Sequence, residues 1–120
     1  MKILIDSQSR FSELYGSLAP EEQNLLKLIS IIYGSVKHSA ATKCLNRAGL
    51  KNDKGILFQE EDIYLIADRL EQKKLISIDE YNEMSCLPEY IEEATSQAVY
   101  DGSFKSLSKA VETMIPISRG

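Results

Sequence analysis

Residues 60–87 read EEDIYLIADRLEQKKLISIDEYNEMSCL. Within them Ile63, Ile66, Ala67 and Leu70 recur at i, i+3, i+4 and i+7, the spacing of a helix with one buried face. The acids Glu60, Glu61 and Asp62 suit the positive end of that helix. Leu75-Ile76-Ser77-Ile78 then reads as a strand, 79–83 as a turn, and Met84-Ser85-Cys86-Leu87 as the returning strand. This spacing predicts a helix followed directly by a small hairpin.

Working towards the N-terminus, Pro20 suits the first position of a helix, with Glu21 and Glu22 behind it. That helix is apolar on nearly every side through Leu25, Leu26, Leu28, Ile29, Ile31, Ile32 and Tyr33, which makes it the central core helix. A narrow stripe of Gln23, Lys27 and Ser30 reads as its solvated side, and Gly34 as its stop. Residues 35–38 form a short extended link with Val36 pointing inward. His38 or Ser39 opens the next helix, whose inner face is Ala40, Ala41, Cys44, Leu45 and Ala48, and Gly49 ends it. Lys51-Asn52-Asp53-Lys54-Gly55 has no period and reads as a polar turn, with Phe58 as an anchor after it. Further helices are expected over about 9–18, 88–101 and 103–115. Residues 1–8 suit either a short edge strand or a loose arm, and 117–120 a frayed end. The whole of 1–120 reads as one domain.

A chain of 120 residues, 43% hydrophobic and 27% charged, can bury a core but is short for an independent multi-step enzyme. No apolar run reaches the roughly 20 residues that a membrane span needs, and residues 1–6 are too short for a secretory core. The expectation is no membrane partner. Cys44 and Cys86 lack a framework spacing, so free buried thiols in a reducing, cytoplasmic setting are expected. The net charge of −4 is unevenly spread. Lys37, Lys43, Arg47, Lys51 and Lys54 face only Asp53 between residues 37 and 54. From Glu60 to Asp101 there are twelve acids against Arg69, Lys73 and Lys74.

The order read over residues 25–87 resembles the winged helix-turn-helix superfamily: a three-helix core about 20–87 with a two-stranded hairpin wing, mainly α, and added helices on both sides. More narrowly, LLKLIS at 25–30, CLNRAG at 44–49 and LEQKKLI at 70–76, together with AVYDGSF at 98–104, look like winged-helix regions ahead of the motor in some bacterial Snf2-type helicases. That resemblance implies an accessory domain. The chain has no phosphate-binding glycine loop of the motor type.

No catalytic constellation is legible. His38, the only histidine, has no triad or metal spacing and reads as a turn or helix-start residue. Cys44 and Cys86 lie on apolar faces, unlike reactive thiolates. Glu60-Glu61-Asp62 and Glu92-Glu93 read as solvated faces, since helix neighbours diverge by about 100°. No metal or cofactor is expected. In a winged-helix reader the helix at 60–73 would enter the major groove. Its outward face is Glu61, Leu65, Asp68 and Gln72, flanked by Tyr64 and Arg69, and the following turn carries Asp79, Glu80 and Glu83. Carboxylates there oppose phosphate contact. The favoured expectation is therefore a non-catalytic module that binds protein, or another domain of the same polypeptide, through Glu61, Tyr64, Leu65, Asp68 and Tyr81. A second copy of the chain is a further candidate partner. The alternative is a nucleic-acid-binding domain that touches phosphates through Lys37, Lys43, Arg47, Lys51 and Lys54.

Overall fold

In a computed structural model, residues 10–114 are described, and the expectations for 1–8 and 117–120 lie outside them. The molecule is mainly helical with a small antiparallel sheet. Its elements are α1 (10–16), α2 (Pro20–Ile32), β1 (Val36–Lys37), α3 (His38–Arg47), α4 (Glu60–Gln72), β2 (Ile76–Ile78), β3 (Glu83–Cys86), α5 (Pro88–Asp101) and α6 (Phe104–Met114).

Helix α2 is the centre. Leu25, Leu26, Leu28 and Ile29 are wholly buried, each contributing about 2 kcal/mol of transfer free energy. Around it, α3 supplies Ala41, Cys44 and Leu45, and α4 supplies Ile63, Ile66, Ala67 and Leu70. The flanking helices join the same core through Phe11, Tyr15, Leu18, Tyr90, Ala94, Leu107 and Ala110. Phe11 packs on both Tyr15 and Tyr90, with ring centroids 5.5 and 5.7 Å apart. The terminal helices therefore complete the core rather than decorate it.

Three features differ from the sequence reading. Lys27 and Ser30 are buried, not solvated. The Lys27 ammonium meets the Asp101 carboxylate at 2.6 Å, and the Ser30 hydroxyl bonds the Lys27 carbonyl and the Thr95 hydroxyl at the α2–α5 contact. Lys27 and Ser30 thus form the seam on which α5 lies, whereas half-buried Gln23 donates to the Tyr15 carbonyl at 2.8 Å. Secondly, α2 ends on Tyr33 rather than Gly34. Tyr33 itself takes the left-handed conformation, φ 57° and ψ 44°, and its N–H bonds the Ile29 carbonyl.

Thirdly, the sheet has three strands, not the two of a simple hairpin. Residues 36–37 pair with β3, giving the order β1-β3-β2, with Val36 opposite Met84 and Ile76 opposite Cys86. Val36, Ile76, Met84 and Cys86 are buried, which presents the sheet's apolar face to α2 and α4. Two residues are too few to show a strand period, so the pairing of β1 had no signature in the sequence.

The connection from α3 to α4 is also built rather than loose. The Asn46 side chain brackets Phe58, accepting from its N–H at 2.8 Å and donating to its carbonyl at 3.1 Å. Buried Asn52 accepts from the N–H groups of Lys54 and Ile56 and donates to the Asp62 carboxylate. Asp62 in turn accepts the Gln59 N–H at 2.8 Å, capping α4. Phe58 is buried, as its role of anchor requires.

Candidate interaction surface

Helix α4 and the β2–β3 turn share one surface. The turn is shaped by Asp79, whose carboxylate accepts from the N–H groups of Tyr81 and Glu83, and by Asn82 at φ 63°. The Asn82 amide then donates to the Tyr64 hydroxyl at 3.2 Å, tying the turn to α4. Beneath that bond the His38 ring stacks on Tyr64, centroids 3.9 Å apart and planes within 5°. His38 is buried. Burial holds its pKa below the ordinary value, against the opposing pull of a hydrogen bond to the Asn82 backbone and of Asp68 and Glu60. His38 therefore joins α3, α4 and the turn, a role its sequence context did not signal.

The five residues expected to meet protein fall into two groups. Tyr64 and Tyr81 line one shallow depression with Lys37, His38 and Glu60. Leu65, 58% exposed, borders another with Glu21, Asp53, Asp62 and Arg69. Glu61 and Asp68 are exposed on the same helix, and neither makes an ion pair among the described residues.

The cations of α4 are turned aside. Arg69 reaches Glu22 at 3.7 Å and Glu21 at 3.9 Å, and Lys73 reaches Glu22 at 3.8 Å. Glu22 is buried, and its carboxylate also accepts the Ala19 N–H at 2.9 Å, capping α2. At Glu21 burial and Asp53 raise the carboxyl pKa, while Arg69 lowers it. Thus two of the three bases between Glu60 and Asp101 are engaged by α2. The outward side of α4 keeps Glu60, Glu61 and Asp68 around Leu65 and Tyr64.

The basic residues of 37–54 are all exposed, and Lys37 and Arg47 line different depressions. Lys37 lies in the depression with Tyr64 and Tyr81. Arg47 lies instead in a cleft with Ser106 and Lys109 of α6, a cation that the sequence reading did not include. Lys43, Arg47, Lys51 and Lys54 have no carboxylate within ion-pair distance among the described residues.

The two thiols are free and buried. Burial pushes Cys44 up to about 11 and Cys86, beside Glu93 and Glu89, up to about 12. Neither has the depressed pKa of a nucleophile. Among the described residues no His, Cys, Asp and Glu cluster could hold a metal ion, and no helix is long and apolar enough to cross a membrane. No family model, curated protein or solved structure matches the chain.

Proposed function

We propose that this chain is a non-catalytic winged-helix module that contacts protein, or another domain of the same polypeptide, through α4 and the β2–β3 turn. The narrower resemblance makes it an accessory domain of a larger Snf2-type helicase or ATPase. Support for the fold reading comes from the order α2, β1, α3, α4, β2, β3, in which β1 joins the hairpin and α4 packs on α2. In a winged-helix reader α4 is the helix offered to the groove.

One observation carries the functional reading: Arg69 and Lys73 lie within ion-pair distance of Glu21 and Glu22, and the depression that exposed Leu65 borders sets the carboxylates of Glu21, Asp53 and Asp62 against the one guanidinium of Arg69. Phosphate binding depends on Lys and Arg neutralising backbone charge, and this face supplies the opposite sign. An apolar centre with a charged rim is the pattern of a protein contact. The test is a photo-reactive side chain at position 65 in the cell, with position 43 as the comparison. Adducts to protein at 65 are the expected result. Adducts to nucleic acid at 65 would overturn the reading.

A second reading has its own observation: Arg47 and Lys109 share one cleft with no acid lining it. If that side holds phosphates, Lys43→Glu with Arg47→Glu weakens binding about equally on every duplex sequence. Binding that ignores both changes removes it.

A further inference from the structure

A groove of about 720 Å³ lies between the end of α2 and α5, sharing no lining residue with the depressions beside α4. Its floor on α5 uses Ile91, Thr95 and Val99, spaced so that they fall on one side of the helix. Tyr33 and Tyr100 also line it, and they are 76% and 89% exposed. Tyr33 and Tyr100 thus set aromatic surface beside Ile91 and Val99.

The groove carries negative charge and no positive charge. Glu92 lines it, with exposed Glu89 one turn earlier, and α5 has no Lys, Arg or His from Pro88 to Asp101. Helix α2 ends here with no base in its last turn, so the negative end of its dipole is not neutralised by its own sequence. Tyrosine faces attract cations as well.

Tyr33 adds an independent sign. It holds a left-handed backbone that L side chains resist, although Gly34, the next residue, could adopt that conformation freely. Lys74 and Asn82 hold the same backbone conformation, so what sets Tyr33 apart is that its exposed ring stands at the groove.

We propose that this groove binds a cationic amphipathic segment of a partner protein. A Lys or Arg of the segment lies against Tyr33, Tyr100 and Glu92, and its apolar side chains cover Ile91 and Val99. A second copy of the chain is a poorer occupant, because the same face on a partner copy brings Glu89 and Glu92 again and, from Pro88 to Asp101, no base. The proposal is independent of the α4 reading, since the two surfaces share no lining residue.

The test uses the full chain and a synthetic helical peptide of Leu and Lys, with the matching Leu and Glu peptide as control. Affinity is read by anisotropy and location by amide chemical shifts. The Leu/Lys peptide is expected to bind and to shift amides around Tyr33 and along α5, and the Leu/Glu peptide is not. Tyr33→Gly leaves the net charge unchanged and relieves the backbone, so it should melt at a higher temperature yet bind about tenfold more weakly. Glu92→Gln should weaken binding as well. Any of four results would overturn the proposal: no binding of the Leu/Lys peptide, equal binding of the two peptides, full affinity in Tyr33→Gly, or shifts confined to α4 and the hairpin. A concentration-dependent dimer that Tyr33→Gly dissolves would assign the groove to a second copy instead.

Discussion

Replacing Asp101 by Ala removes the partner of a buried ammonium. The Lys27 side chain is 6% exposed and Asp101 40%, with their charged atoms 2.6 Å apart. Breaking a fully buried pair costs about 3–5 kcal/mol, and water reaching Asp101 reduces that figure here. The same carboxylate accepts from the Ser103 N–H and hydroxyl at 2.9 and 2.6 Å, shaping the α5–α6 junction. These exposed bonds add a further ~0.5–1 kcal/mol. The expected cost of Asp101→Ala at neutral pH is therefore about 2–3 kcal/mol. Lys27→Met keeps the aliphatic stem and removes the charge, and should cost less than about 1 kcal/mol. In that background Asp101→Ala should lose only its Ser103 share.

Urea denaturation of the four proteins of this cycle gives the coupling directly. A cost for Asp101→Ala that is the same with and without the Lys27→Met change would refute the reasoning. Acid supplies a second check. Partial burial pushes the Asp101 carboxyl up, but the bonds from Lys27 and Ser103 outweigh this and hold it below its ordinary value. A lowered carboxyl contributes stability above its unfolded pKa of about 3.9 and loses it as pH falls through the folded value. The gap between wild type and Asp101→Ala should accordingly narrow below about pH 4.

Three further outcomes are expected. His38 has a lowered pKa, so the unfolded chain takes up its proton first as pH falls through about 6.5. Stability should then decline with acid by at most about 1.4 kcal/mol per pH unit, and His38→Phe, which retains a ring on Tyr64, should flatten that limb in denaturation at pH 5–7; an unchanged slope contradicts the burial that lowers the His38 pKa. Asn46→Ala leaves both backbone groups of Phe58 without their partner, which should cost about 2 kcal/mol and speed amide exchange at Phe58. Unaltered exchange would mean that the asparagine does not hold the loop. Cys44 and Cys86, buried with raised pKa values, should resist a thiol reagent at neutral pH until urea unfolds the chain; rapid stoichiometric labelling of the native protein contradicts their burial.

The parts of the fold legible in the sequence were those with a single strong period and marked ends. Pro20 and Pro88 open helices, Ile63 to Leu70 draw one stripe, and the hairpin follows from the change of pattern after Leu75. Interactions between residues distant in sequence left no such trace. Lys27 looked solvated because its partner lies 74 residues further on. The turn at 51–55 looked featureless because its order comes from Asn46 and Asn52 bonding backbone groups several residues away.

The surface was legible in part. Charge counting found the acids of α4, and its period placed Leu65 outward. That Arg69 and Lys73 face Glu21 and Glu22 requires α2 and α4 to be packed first. Neither the stack of His38 on Tyr64 nor the pairing of Arg47 with Lys109 in one cleft has a sequence motif. Tyr33 was read as part of an apolar helix, with Gly34 as its stop. A glycine following an aromatic residue gives no sign that the left-handed turn falls one position early.

Whether the carboxylates on α4 bar it from a duplex is tested most directly by titrating a short labelled duplex at low ionic strength. The proteins compared are wild type, Lys43→Glu/Arg47→Glu and Glu61→Lys/Asp68→Lys. No binding through α4 is expected in wild type, and a new, salt-sensitive affinity is expected when Glu61 and Asp68 are reversed. A wild-type complex that survives reversal of Lys43 and Arg47, and gains nothing from reversal of the acids, would contradict this.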